Sequence, residues 1–152
     1  MNNNVFLRLV EENDKDVLYE WANDPVTRMN AFSTELIPYE EHCNWFRNLL
    51  DDTKAIQFLM IEGNEPIGQI RLNVEDNGEA YVSYSIKPDK RGRGYGQIMC
   101  KMLLDEVRNS YPYIQKICAR VKPTNNASST CFEKNGFIQV YRQYEYALGQ
   151  EE

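Results

Sequence analysis

The chain has 152 residues, 42% apolar and 12% aromatic, and a formal charge of −6. This length supports one cored domain over residues 1–152 and is short for two, while the acidic balance argues against general affinity for nucleic acid. No run of about 18 apolar residues offers a membrane span, and the first residues, MNNNVFLRLVEENDKD, lack the basic and apolar segments of a signal peptide, so a cytoplasmic protein without a membrane partner is expected.

Val5 to Val10 alternates as a strand, and the following ENDKD supplies cap residues for a helix carrying Val17, Leu18 and Trp21. Asp24-Pro25 stops that helix. Pro38 suits the first turn of a second helix, in which Tyr39, Cys43, Phe46 and Leu50 share one face and His42, Trp45 and Leu49 a neighbouring stripe. The period then changes to two. Segments 55–63 and 66–74 read as strands around a turn at Gly63-Asn64, and EDNG turns the chain into a third strand, EAYVSYSIKP.

The next stretch, RGRGYG, puts Gly92, Gly94 and Gly96 among Arg91, Arg93 and Tyr95 just before a helix whose apolar residues run from Tyr95 to Val107. Residues 87–101 hold Lys87, Lys90, Arg91, Arg93 and Lys101 against Asp89 alone, the one distinctly basic stretch of the chain. Alternating glycines let successive N–H groups converge on an anion, and a helix N-terminus adds its dipole. A phosphate cradle follows. A Walker loop is excluded because Gly96-Gln97-Ile98 stands where Gly-Lys-Ser/Thr is needed, and a dinucleotide fingerprint because an antiparallel meander precedes the glycines.

IQKICARV (114–121) reads as a further strand, NNASSTCFEKN (125–135) as a short helix closed by Gly136, and FIQVYRQYEYAL (137–148) as a last long strand. Cys43, Cys100, Cys118 and Cys131 form no CxxC pair and His42 is the only histidine, so free thiols and no metal site are expected. The fold class is α/β (α+β): one domain with a mixed, mostly antiparallel sheet flanked by about four helices.

RGRGYG resembles the Arg/Gln-x-x-Gly-x-Gly/Ala pyrophosphate loop of the GNAT N-acetyltransferase superfamily, and Asn125, Ser128, Phe132, Gly136 and Phe137 are similar to its second signature, Asn-x-x-Ser-x-x-x-Phe/Tyr-x-x-x-Gly-Phe. The resemblance runs from Val5 to Leu148. It implies that Arg91, Gly92, Arg93, Gly94, Tyr95 and Gly96 hold the pyrophosphate of acetyl-CoA, that the strand edge at Ser85 and Ile86 takes the pantetheine arm, and that Asn125 and Phe132 face that arm. For Phe132, core packing is the other reading. The implied reaction is attack of a neutral amine on the thioester in a ternary complex, with a backbone N–H near Ile86 as oxyanion donor.

Two departures from the family pattern bear on catalysis. Phe132 stands where many relatives have tyrosine and cannot donate a proton, so water or a tyrosine such as Tyr141 or Tyr144 protonates the thiolate, or it leaves unprotonated; this also keeps a non-catalytic acyl-CoA sensor in view. Ala80 stands where several relatives carry a glutamate base, which leaves Glu79 and His42 as candidates. The acceptor segment 20–46 resembles those of nucleotide-linked aminosugar N-acetyltransferases and of Rim-type N-terminal acetyltransferases. An aminosugar nucleotide needs cations and aromatic surface, which Arg28, Phe32, His42 and Trp45 could offer; the aromatic residues also suit plain helix packing. The tyrosine-rich segment 137–148 either pairs at a homodimer interface or lies inside the sheet.

Overall fold

The computed structural model describes residues 4–149. In chain order the elements are β1 (Val5–Leu9), a 3-10 turn (Glu12–Asp14), α1 (Lys15–Ala22), α2 (Pro25–Asn30), α3 (Tyr39–Asp51), β2 (Ala55–Glu62), β3 (Glu65–Val74), β4 (Glu79–Ile86), a second 3-10 turn (Pro88–Lys90), α4 (Tyr95–Ser110), β5 (Lys116–Ala119) and α5 (Asn126–Lys134). The sheet runs β1-β2-β3-β4-β5. Its first four strands pair antiparallel, and β5 joins β4 in parallel. No helix among the described residues is long and apolar enough to cross a membrane.

The period of two decides what each face buries. Even-numbered Phe58, Ile70, Leu72, Val82 and Ile86 pack against Met99, Leu103, Cys131 and Phe132 of α4 and α5. On the other face, Leu59 and Ile61 meet Leu18, Trp21 and Phe46 of α1 and α3. Each such side chain contributes about 1.5–3 kcal/mol by leaving water. Toward β3 and β4 that second face turns polar: Gln69, Arg71, Asn73, Tyr81, Ser83 and Ser85 occupy the odd positions. The first helices therefore cover only half the sheet, and the rest is a polar floor.

Local chemistry sets the element ends. Asp14 is buried under α1, held by both terminal nitrogens of Arg8 at 2.8 and 3.0 Å and accepting from the Glu11 N–H at 2.7 Å. Asp24-Pro25 does end α1, yet it also starts α2, a six-residue helix the periodicity does not reveal. Asp24 accepts from the N–H groups of Val26 and Thr27 while proline occupies the first turn, the arrangement that suits a helix start.

After α5, Gly136 at φ 94° donates to the Glu133 carbonyl and Phe137 to the Phe132 carbonyl, both at 3.0 Å. These are the two bonds of a Schellman turn, completed by ring contact between Phe132 and Phe137 at 4.9 Å. The strand expected over 137–148 does not form. Beyond Phe137 the chain leaves its own sheet, with Ile138, Val140, Tyr144, Tyr146 and Leu148 all more than 80% exposed. Alternation supplies a strand's faces but not its hydrogen-bonding neighbour, and here the neighbour is missing.

Candidate active site

The β4–β5 ladder ends at Val82–Ala119, four residues before β4 itself does. Lys87 donates to Ile67 and Glu75 to Glu79 at the two ends of the β3–β4 ladder. Antiparallel pairing alternates, so the N–H groups of Tyr84 and Ile86 turn away from β3 into the gap that β5 leaves open. The Ile86 carbonyl, on the same edge, accepts from Arg91 Nε at 3.2 Å. Ser85 points to the polar floor, accepting from Gln69 Nε2 at 3.0 Å, and Gln69 accepts from Gln57 at 2.7 Å. Two of the residues expected to line a donor arm, Ser85 and Ile86, thus flank an unpaired strand edge.

Immediately beyond that edge, Gly92 and Gly94 sit at φ 74° and 85° with open space where a Cβ would be. Gly94 is the N-cap of α4 and offers its first turn no side-chain acceptor, so amides that a serine or aspartate would occupy stay available. Gly96 is small for another reason: a Cβ there would lie 3.3 Å from a Tyr84 ring carbon. A side chain there would press on that ring where the helix start approaches β4.

The charge of this stretch is arranged differently from the expectation of a basic patch. Lys87 pairs with Glu65, Lys90 with Glu62 at 3.1 Å, and Lys101 with Asp105 at 3.4 Å. Arg91 binds Asp24 at 2.7 Å and Thr27 Oγ1 at 3.2 Å. Burial alone would raise the Asp24 carboxyl, but the Arg91 guanidinium and the α2 amides outweigh it and hold the group below its ordinary value. The Tyr95 hydroxyl donates to Glu62. The contacts of Lys87, Lys90, Arg91 and Tyr95 fasten the loop to the β2–β3 hairpin and to α2, and they leave Arg93 exposed beside the loop. The groups left available in this loop are its amides and Arg93, while Arg91 braces it.

Asn125 accepts from the Ser128 N–H at 3.2 Å and so caps α5. Phe132 is 6% exposed, edge-on to Tyr84 at 5.7 Å, which makes it a core residue. Sequence reasoning missed Tyr84. Its hydroxyl lies 3.1 Å from Ser128 Oγ, between the start of α4 and α5, and burial pushes its pKa up, keeping it a donor. Beside it, Cys131 and Cys100 share a hydrogen bond that pulls Cys131 down to about 7 and pushes Cys100 up. The residue spacing shows none of this, because it depends on which faces of α4 and α5 meet.

On the acceptor side, α2 bridges the gap: Asp24 and Thr27 hold Arg91 at one end, and Lys122 donates to the Met29 carbonyl at 3.0 Å at the other. Arg28 reaches the Glu35 carbonyl at 3.0 Å and steadies the loop carrying Phe32, which is 71% exposed. His42 is 3% exposed, with Nε2 2.9 Å from the Lys15 carbonyl and its ring among Tyr19, Trp45 and Phe46. It joins α1 to α3. Glu79 pairs with Lys116 at 3.0 Å at the start of β4, about 23 Å along the strand from Ile86 at ~3.3 Å per residue. Neither candidate base is set at the unpaired edge.

Arg71 was not anticipated. It lies directly opposite Gln57 and Ser83 on the polar floor, its guanidinium 5.3 Å from the Trp45 ring. Burial draws its pKa down, and its Nε, like the Gln57 Oε1 across the ladder, is a buried polar atom without a partner. Arg120, stacked on Tyr81 at 4.5 Å, adds a second cation to the same side.

The chain and its fold have known counterparts. An uncharacterised N-acetyltransferase, p20, of Bacillus licheniformis is 30% identical over 94% of this chain and 85% of its own. An aminoglycoside N(6′)-acetyltransferase type 1 of Klebsiella pneumoniae is 24% identical over 90% of this chain and 75% of its own. Among solved structures, the spermidine N-acetyltransferase from Vibrio cholerae, in complex with CoA and spermine, superposes with a TM-score of 0.84 at 19% identity, covering 92% of this chain and 84% of that one. The sequence profile of the acetyltransferase (GNAT) domain matches residues 4–138: the chain belongs to the GNAT acetyltransferase family.

Proposed function

We propose that this acetyltransferase moves an acetyl group from acetyl-CoA to the primary amine of a nucleotide-linked aminosugar. The amides of Gly92 to Gly96, with Arg93, would hold the pyrophosphate, and the β4 edge at Tyr84 and Ile86 the pantetheine arm. When bound, acetyl-CoA supplies an activated thioester. The Ile86 N–H meets the oxygen on which negative charge grows as the amine attacks. A C–N bond forms and the C–S bond breaks, the sulfur leaving as thiolate. The proton released by the amine passes to water along the Ser83–Ser85 edge, since His42 and Glu79 are engaged elsewhere.

The observation that carries the acceptor class is Arg71, a half-buried guanidinium on the polar floor whose Nε is buried without a partner. A cation held there repels a polycationic acceptor, whereas a diphosphate would pair with its terminal nitrogens. Trp45 under the guanidinium and the exposed Phe32 offer aromatic surface for a base. The spermine of the Vibrio cholerae structure is a polycation, so the two acceptor classes differ in sign. Thiol release from acetyl-CoA, measured with aminosugar nucleotides, polyamines, aminoglycosides and N-terminal peptides, tests the reading. Turnover is expected with the nucleotide sugars; turnover only with peptides or polyamines refutes the acceptor, and CoA binding without any turnover refutes the enzyme.

A further inference from the structure

We propose that the Ser85 hydroxyl orients the attacking amine, accepting one of its N–H groups and passing a proton on to water, and that Gln57 and Gln69 act through it as positioning residues. The inference rests on the thioester lying at the β4 edge and not on the nature of the acceptor.

Ser85 stands where the two ends of the cleft meet. Its chain neighbours Tyr84 and Ile86 turn their N–H groups into the gap that β5 leaves open. Its own side chain belongs to the polar floor, half-buried beside Gln69, its partner across the β3–β4 ladder. An amine resting on that floor and reaching a carbonyl held at the Ile86 N–H therefore passes Ser85.

What sets this hydroxyl apart is the chain of amides behind it. Gln57 Nε2 donates to Gln69 Oε1 at 2.7 Å, and Gln69 Nε2 donates to Ser85 Oγ at 3.0 Å. Both bonds run in one direction. Arg71 favours that direction, because its guanidinium stands directly opposite Gln57 across the β2–β3 ladder, where a reversed amide would set an N–H pair against a cation. Gln57 is buried and Gln69 half-buried, and hydrogen bonds in series in such a place polarise one another.

A serine hydroxyl has one hydrogen and two lone pairs, and it rotates to suit its partners. Gln69 takes one lone pair, which leaves the other for an amine N–H and the hydrogen for water. A neutral primary amine bound in this way keeps its own lone pair for the thioester carbon. As the C–N bond forms, positive charge grows on nitrogen and the N–H···O bond strengthens, so the contact favours the transition state over the bound substrate. The C–S bond breaks with its electron pair on sulfur, the ammonium proton moves to Oγ, and Oγ releases its own proton to water. The serine ends as it began. With the chain reversed, its hydrogen would be held by Gln69 and the proton would have no exit.

Initial rates with acetyl-CoA and each amine of the panel above, in wild type and variants, test this. Which amine reacts decides the acceptor class, and the ratio of variant to wild-type rate on that amine decides the role of Ser85, so the two readings fail separately. Ser85→Ala should lower kcat about 10- to 100-fold, the loss expected for a hydrogen bond to a group gaining charge, with the amine KM and the CoA affinity within about twofold of wild type. Ser85→Thr, which restores a hydroxyl, should recover most of the rate. Gln69→Met keeps the length of the side chain and removes its donor; it should lower kcat about 3- to 10-fold alone and no further in the Ser85→Ala background. Wild-type kcat in Ser85→Ala, a loss confined to KM or to CoA affinity, a threonine variant as slow as the alanine one, or equal losses from Gln69→Met in both backgrounds overturns the proposal. So does a wild-type chain that acetylates none of these amines.

Discussion

The donor end and the acceptor end of the cleft are built from different materials. At the donor end the groups left open are main-chain amides, and the cations around them mostly face carboxylates of the protein's own hairpin and of α2. At the acceptor end the groups are side chains, half-buried Arg71 and buried Gln57, brought together by the register of β2 against β3. A main-chain site needs only a local sequence that permits its conformation. A side-chain site needs the whole sheet in register, and its charge is a property of the neighbours that are absent.

The sharpest way to break that contrast is at Gly94. A valine there must adopt φ near 85°, a conformation costing about 1–3 kcal/mol for a non-glycine residue and worse for a β-branched one. The amides it displaces each contribute about 1.5–3 kcal/mol to a charged ligand. Gly94→Val should weaken CoA binding by about 100-fold in calorimetry, with the far-ultraviolet spectrum unchanged. Wild-type affinity would show that the amides do not hold the ligand.

The matching change at the acceptor end is Arg71→Met. Loss of one charge-assisted contact, about 1.5–3 kcal/mol, should raise KM for a nucleotide-sugar acceptor about 10- to 100-fold and leave the CoA affinity as it was. Thermal stability should change little, because a half-buried guanidinium whose Nε has no partner is replaced by an apolar chain. If KM for polyamines falls in the same variant, the cation is confirmed as the element that excludes them. An unchanged KM for every acceptor would detach Arg71 from recognition.

The two ends were unequally legible for the same physical reason. Gly92, Gly94 and Gly96 announce a turn because each is required by backbone conformation or by close approach to Tyr84, and such requirements are written in neighbouring residues. The meander, α4 and the Gly136 closure are legible too, from period and cap. Arg71 was passed over because a charged residue within a strand looks like an ordinary solvent-facing position until Trp45 is set over it. The charge of the glycine loop was misjudged because Glu62, Glu65 and Asp24 are distant in sequence. The strand over 137–148 has the right faces but no partner in its own sheet.

A smaller effect tests the link between the two ends. Asp24 ties α2 to Arg91, and its carboxyl is held below the ordinary value, so the tie is complete above the ordinary carboxylate range, about 3.9, and is lost as pH falls through the lowered folded value. Wild-type CoA affinity should therefore be flat from neutral pH down to the ordinary range and weaken below it. Asp24→Asn should bind CoA several-fold more weakly throughout the flat region. A variant with wild-type affinity and the same acid limb would place the titrating group elsewhere.

The smallest expected effect concerns the two candidate bases, Glu79 beside the position where relatives carry a glutamate and His42 for its imidazole. Glu79 is bound to Lys116 at the far end of β4, and His42 spans α1 and α3 through the Lys15 carbonyl. Glu79→Gln keeps the shape and removes the charge, so kcat should stay within about twofold, whereas loss of a general base costs about 10²–10⁴. His42→Phe removes one hydrogen bond to the Lys15 carbonyl of α1, which costs about 0.5–1.5 kcal/mol of stability, with kcat on the folded enzyme unchanged. A loss of two orders of magnitude in either variant, with its acid limb removed from the pH–rate profile, would return the proton to a side chain and take it from water along the Ser83–Ser85 edge.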